Sequence, residues 1–232
     1  MSSVTTGVEW INTFSGPCKP GANLGNRANV AQGFQQAMSA AGHPALFDWG
    51  DQNAWESDFR SPADGGDALN WSDNVNFCYF ADHGGNWSNV FHIGFTAQHA
   101  NCLGSSDTWK LGAKSLKWMV FDTCDLVLTT NVSDIVEWFG PMQGVHIVFG
   151  FVNTAYDDGG RGASFGADAA AGDGLSNAWL ADAVASGGSQ TAIAIAAGAT
   201  QAEAINRRDN ECIPWLGYNV SATHWLAWKW YG

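Results

Sequence analysis

Apolar residues in this chain gather into short unbroken runs separated by polar, glycine-rich stretches. Runs at Val75 to Ala81, Leu116 to Asp122 and Val145 to Val152 are too short for helices and show no polar alternation, so they predict strands buried on both faces. Gly7 to Phe14, Ala45 to Trp49, Thr191 to Ala197 and Ala222 to Trp230 add further strands, and Val90 to Phe95 an outer hairpin strand. Between them, Val30, Phe34, Ala37, Met38 and Ala41 recur at helical spacing within Asn26 to Gly42. Further helices are predicted over 134 to 139, 175 to 186 and 201 to 207. Residues 50 to 71, 96 to 115 and 153 to 174 predict loops. Strands alternating with helices imply an α/β fold, a mostly parallel sheet covered on both faces, in one domain spanning 1 to 232.

Composition narrows the functional classes. Hydrophobic residues make up 46% and charged ones 14%, enough for a sizeable core. The net charge of -12 repels phosphate backbones and argues against nucleic acid as a partner. No apolar stretch approaches the roughly 18 to 20 residues of a membrane span, so no membrane partner is expected. No basic leader precedes an apolar segment, which favours a cytoplasmic over a secreted setting. The five cysteines cannot all pair within the chain, and none forms a CxxC motif that would suggest structural zinc. No cofactor is expected, although the acidic balance is compatible with Ca2+. The oligomeric state is left open.

Two strand ends carry reactive side chains. FCYFADHGG carries an apolar run to His83 and then drops its side chains at Gly84 and Gly85; KWMVFDTC does the same up to Cys124. In a parallel sheet, ligands bind beyond the carboxyl ends of the strands. If the two strands are neighbours, an imidazole and a thiol share one rim, where the imidazole can take the thiol proton. A helix expected soon after Cys124 would lower the thiol pKa further. The bare backbone lets a substrate carbonyl approach, with the amides of Gly84 and Cys124 as an oxyanion hole.

This pair of motifs, in this order and after apolar strands, resembles the signatures of the caspase-like (clan CD) cysteine peptidases. The whole chain also resembles a bacterial domain family of that type, with an opening like GVEWIN, then AWESDF, the His-Gly strand and a later apolar strand ending in GF. The resemblance implies a caspase-haemoglobinase-like three-layer sandwich with a six-stranded, mostly parallel sheet and a catalytic His83/Cys124 dyad. The implied activity is endopeptidase cleavage through an acyl-enzyme, or ligation and cyclisation if an amine resolves it. The QACxG signature of caspases is absent; this chain reads DTCDL.

Other residues have competing readings. Asp48, Asp51, Glu56 and Asp58 before the histidine strand, and Asp157 and Asp158 after the 145 to 152 strand, could shape a pocket for a basic side chain. Singly, each reads better as a solvated loop acid or a helix cap, and the YDDGGRG segment also offers oxygens to Ca2+. His83 could be a strand-end histidine bonded to Asp82 or a loop carbonyl, and Cys124 an inert thiol or the disulfide partner of Cys102. His92 reads as structural, and a zinc site with His99 lacks ligand spacing. Trp215, Trp225, Trp228 and Trp230 invite the alternative of a non-catalytic peptide- or carbohydrate-binding module.

Overall fold

The computed structural model describes residues 3–97, 101–185, 187, 189–215 and 217–231. The unbroken apolar runs form a seven-stranded sheet. Its strands are β1 (Thr6–Trp10), β2 (Ala45–Gly50), β3 (Phe77–Ala81), β7 (Trp118–Asp122), β8 (Ile147–Val152), β9 (Thr191–Gly198) and β10 (Trp225–Tyr231). The spatial order is β10-β9-β8-β7-β3-β1-β2. The five strands from β2 to β8 are parallel, whereas β9 runs antiparallel to β8 and β10 antiparallel to β9. A separate antiparallel sheet comprises β4 (Gly84–Trp87), β5 (Val90–Gly94) and β6 (Leu103–Ser105). The sheet is therefore mixed and seven-stranded rather than six-stranded.

Helices cover one face. These are α1 (Arg27–Ala40), α3 (Arg161–Ala171) and α4 (Leu175–Val184), packed through Phe34, Phe165 and Trp179 onto Phe77, Tyr79 and Phe149. The short α2 (Val132–Ile135) lies in the loop after β7, and α5 (Gln201–Asn210) lies between β9 and β10 in the chain. The opposite face is closed by the small sheet and a series of 3-10 turns, around Phe59, Phe80, Phe91, Trp109, Phe121 and Trp138. Both faces are thus covered, one by α1, α3 and α4 and the other by the small sheet, the 3-10 turns and Ile135 of α2.

Helix α3 falls in a segment the sequence reads as loop. Its glycines serve a close crossing: a Cβ on Gly162 would lie 1.9 Å from the Val30 carbonyl oxygen, and one on Gly166 would lie 2.8 Å from that of Phe34. Small residues that weaken an isolated helix here let α1 and α3 touch backbone to backbone.

Both helices begin at an arginine aimed at the same carboxylate. Asp122, the last residue of β7, is wholly buried. It takes Arg27 Nη1 at 3.0 Å, Arg161 Nε at 3.2 Å and the Tyr79 hydroxyl at 2.7 Å. Burial alone would lower the Arg27 pKa, but Asp122 and Asp157 more than reverse it. Arg27 and Arg161 also both donate to the Tyr156 carbonyl. Removing one member of such a group leaves charges buried without partners. Asp122→Ala is expected to cost about 3–5 kcal/mol, read by denaturant titration against Asp122→Asn, which keeps the shape. A loss below about 1 kcal/mol would show that the network holds nothing together.

Candidate active site

Strands β3 and β7 are parallel neighbours with Ala81 opposite Asp122. His83 and Cys124 each follow two residues beyond that last pair, so both leave the same carboxyl-terminal edge of the sheet. The loop before α1 wraps the imidazole. Phe14 stacks on it at 5.6 Å, and Gly21 lies so close that a Cβ would meet the ring at 2.3 Å. His83 Nε2 lies 2.7 Å from the Ala22 carbonyl, which can only accept, so this nitrogen carries the proton and Nδ1 is the basic atom. Asp82 does not orient the ring. It is buried, and desolvation holds its carboxyl well above the usual range, opposed by the His83 amide.

Cys124 is half-buried. Its sulfur accepts from the Ala155 amide at 3.4 Å, an N–H delivered by the loop after β8. Two left-handed residues hold this junction, Asp125 (φ 54°) and Asn153 (φ 65°), joined by a 2.7 Å bond from the Asp125 amide to the Asn153 carbonyl. Such conformations are costly outside glycine and most tolerable for Asn and Asp. Burial pushes the Cys124 thiol pKa up, and the Ala155 N–H works against it. The expected helix does not contribute, because α2 starts only at Val132 and is one turn long. No hydrogen bond joins His83 to Cys124.

The glycines after His83 open strand β4. A Cβ on Gly84 would lie 2.5 Å from both the Cys124 carbonyl oxygen and Thr123 Oγ1. The bare backbone therefore lets the β4–β5 hairpin lie directly against the cysteine's own main chain. Ser88 and Asn89, both at positive φ, make the two-residue turn of that hairpin. Beyond Gly84 lies a cleft of about 220 Å³ walled by Pro20, His83, Gly84, Trp87, His92 and Leu103. Trp87 and His92 stack face to face at 3.7 Å. Sequence reasoning passed over Trp87, Ala22 and Ala155 as contributors to this site. The expected outer hairpin strand at Val90 to Phe95 corresponds to β5, and its partner β4 was not expected.

A family model described as a domain of unknown function, DUF6345, covers residues 8–219. The chain belongs to the DUF6345 family. Among curated proteins, none matches its sequence.

The acids proposed for substrate binding do not converge in this DUF6345 domain. Asp48, on β2, accepts from Trp10 Nε1 and Gln32 Nε2, both at 2.8 Å. Glu56 is buried and pairs with Arg60 at 2.9 Å. Asp51 accepts from the amides of Asn12 and Thr13. Asp157 accepts from the Gly25 and Asn26 amides and pairs with Arg27, and Asp158 accepts from the Gly160 and Arg161 amides ahead of α3. Asp157 and Asp158 thus face N–H donors, the reverse of what a Ca2+ loop presents. Among the described residues no group of three or more metal-binding side chains assembles; His99 lies outside them.

Cys102 is bonded to Cys18, not to Cys124, and Cys78, Cys124 and Cys212 are free. A disulfide is more consistent with an extracytoplasmic location than with the cytoplasmic one the sequence favours. Among the described residues no helix is long and apolar enough to cross a membrane.

Two outcomes follow for this rim. Gly84→Ala is expected to destabilise the DUF6345 domain by about 1–3 kcal/mol, because backbone must move; unchanged thermal melting would disprove the contact. Iodoacetamide should modify Cys124 ahead of the buried Cys78 and Cys212, with a rate still climbing at pH 9, since the thiol titrates above the ordinary 9.0. A rate already level at pH 7 would show a thiolate at rest.

Proposed function

We propose that this DUF6345 domain is a thiol endopeptidase on the plan of the caspase-like peptidases, with Cys124 as nucleophile and His83 as general base and acid. The observation that carries the reading is the shared edge. Adjacent parallel strands release an imidazole and a half-buried thiol side by side, with a cleft at the imidazole. The Ala22 carbonyl supports it further, because it leaves Nδ1 as the proton-accepting atom.

Sγ attacks the scissile carbonyl carbon as its proton passes to His83 Nδ1. The C–N bond breaks as that proton moves to the leaving amine, and a thioester remains. Water then attacks the thioester, giving a proton to His83, and the sulfur leaves with it. An amine in place of water would ligate or cyclise. The amides of Gly84 and Cys124 are the proposed donors to the oxyanion. The resting thiol is neutral, so deprotonation coincides with attack rather than preceding it. Substrates are peptides or proteins, met outside the cytoplasm.

A second reading, a binding module with an inert dyad, draws on the raised thiol pKa and the absence of a His83–Cys124 hydrogen bond. Its surface would be the groove of about 400 Å³ lined by Trp225, Trp228, Trp230 and Arg208.

The deciding experiment is a peptide-library cleavage profile of the wild-type chain beside Cys124→Ala and His83→Ala. Each variant should lose roughly a thousand-fold or more in kcat/KM while keeping the wild-type circular dichroism. Cleavage that persists in Cys124→Ala, or no cleavage by any of the three, would leave the binding module as the surviving account.

A further inference from the structure

Three tryptophans and two buried acids meet on the loop-covered face of the sheet, away from the cysteine. Trp49 is the penultimate residue of the edge strand β2, Trp55 follows the 3-10 turn at 51–53, and Trp71 links two further 3-10 turns. With Asn53 and Asp58 they line a cavity of about 140 Å³. Trp49 and Trp71 stand edge to face, 5.6 Å apart at 79°, so the box has walls at right angles. The indole N–H groups are tied elsewhere: that of Trp55 donates to the Gln52 carbonyl at 2.9 Å, and that of Trp71 to Asp67 at 3.1 Å. These bonds hold both indoles in place among the walls of the cavity.

The carboxylate in the box is out of water and without a counter-ion. Asp58 is 2% exposed and accepts from the Ser57 hydroxyl, a long bond, and from the Trp55 amide. Glu9, on β1, is 0% exposed, and no side chain hydrogen-bonds to either of its oxygens. Among the described residues no cation pairs with either, and the nearby Arg60 pairs with Glu56. Unpaired buried carboxylates are costly unless they stay neutral or a cation arrives. Burial, with help from Asp67 and Glu56, raises the Asp58 pKa to about 7, so at physiological pH the group is poised to ionise when a positive charge arrives.

We infer that the Trp49–Trp55–Trp71 box, with Asp58 in it, binds a quaternary ammonium head of the choline type. The chemistry selects this class. Indole faces attract a cation without offering lone pairs, so a metal ion would find only Asp58 and Asn53, too few oxygens for Ca2+. A weakly hydrated alkylammonium loses little on leaving water and meets both the ring faces and the carboxylate. A neutral group of the same shape would meet only the rings. The site uses neither His83 nor Cys124 and stands whether or not the domain is a peptidase.

The test is titration of the full chain with choline chloride and with its neutral carbon isostere 3,3-dimethyl-1-butanol, read by calorimetry and tryptophan fluorescence. Choline should saturate one site and bind at least tenfold more tightly than the isostere. Asp58→Asn should remove most of that preference, and Trp71→Ala should abolish binding. The choline affinity should rise from pH 5.5 to 8, since the ionised Asp58 is the binding form. Glu9, Glu56 and Asp67 oppose that ionisation, while the Trp55 amide and the Ser57 hydroxyl favour it. Should Asp58→Asn fail to fold, Trp55→Leu at the half-buried wall carries the test, with at least a fivefold loss expected. Vesicles of phosphatidylcholine offer the same head on a lipid. Co-sedimentation that Trp71→Ala removes assigns a lipid source, and saturation by choline without co-sedimentation assigns a soluble one. Isostere binding equal to choline, no saturation by choline or vesicles, or wild-type affinity in Trp55→Leu would overturn the inference.

Discussion

Asp122 is the charge on which separate parts of this chain have to agree. Its carboxylate lies wholly out of water, which is tolerable only because two guanidiniums and a phenol point at it. Those groups come from the first turns of α1 and α3 and from the middle of β3, so the network sets where both helices start against the sheet. The same arginines hold the Tyr156 carbonyl. The preceding residue, Ala155, donates its amide to the Cys124 sulfur. The thiol is thus positioned from below by its own strand and from the side by a loop that the buried charges hold down.

The two faces of the sheet are built differently. On the helical face, α1 and α3 meet through glycines closely enough to exclude any side chain, and large aromatics fill the remaining space. The opposite face is closed by turns and a small hairpin sheet, which cannot interlock as helices do. The His83 cleft and the tryptophan box both lie among the loops and hairpin strands that cover it.

Much of the architecture could be read from the chain because parallel strands buried on both faces leave continuous apolar runs, and these were the runs found. The direction of β9 and β10 could not be read, since such a run looks the same either way. Strand β4 hides in Gly-Gly-Asn-Trp, which has no run of apolar residues. Helix α3 hides because Gly162, Ala163 and Gly166 look like loop residues until a partner helix is placed against them. The shared edge of His83 and Cys124 was legible from two strands that each end in a reactive residue. The role of the nearby acids was not, because composition cannot show whether a carboxylate will meet a substrate or a backbone amide. The tryptophan box lies in a stretch that reads simply as turn formers, with its rings twenty-two residues apart at the extremes.

The Cys18–Cys102 bridge has a practical consequence. Pro20 and Leu103 both line the His83 cleft, and each lies within two residues of a bridged cysteine. One covalent bond therefore ties together the segments that carry both residues. The dithiols routinely added to keep a free thiol such as Cys124 from oxidising are also reagents for that bond. A buffer chosen to protect the sulfur at one side of the imidazole would loosen the walls on its other side, so preparations handled with and without reductant would differ in the shape of their cleft.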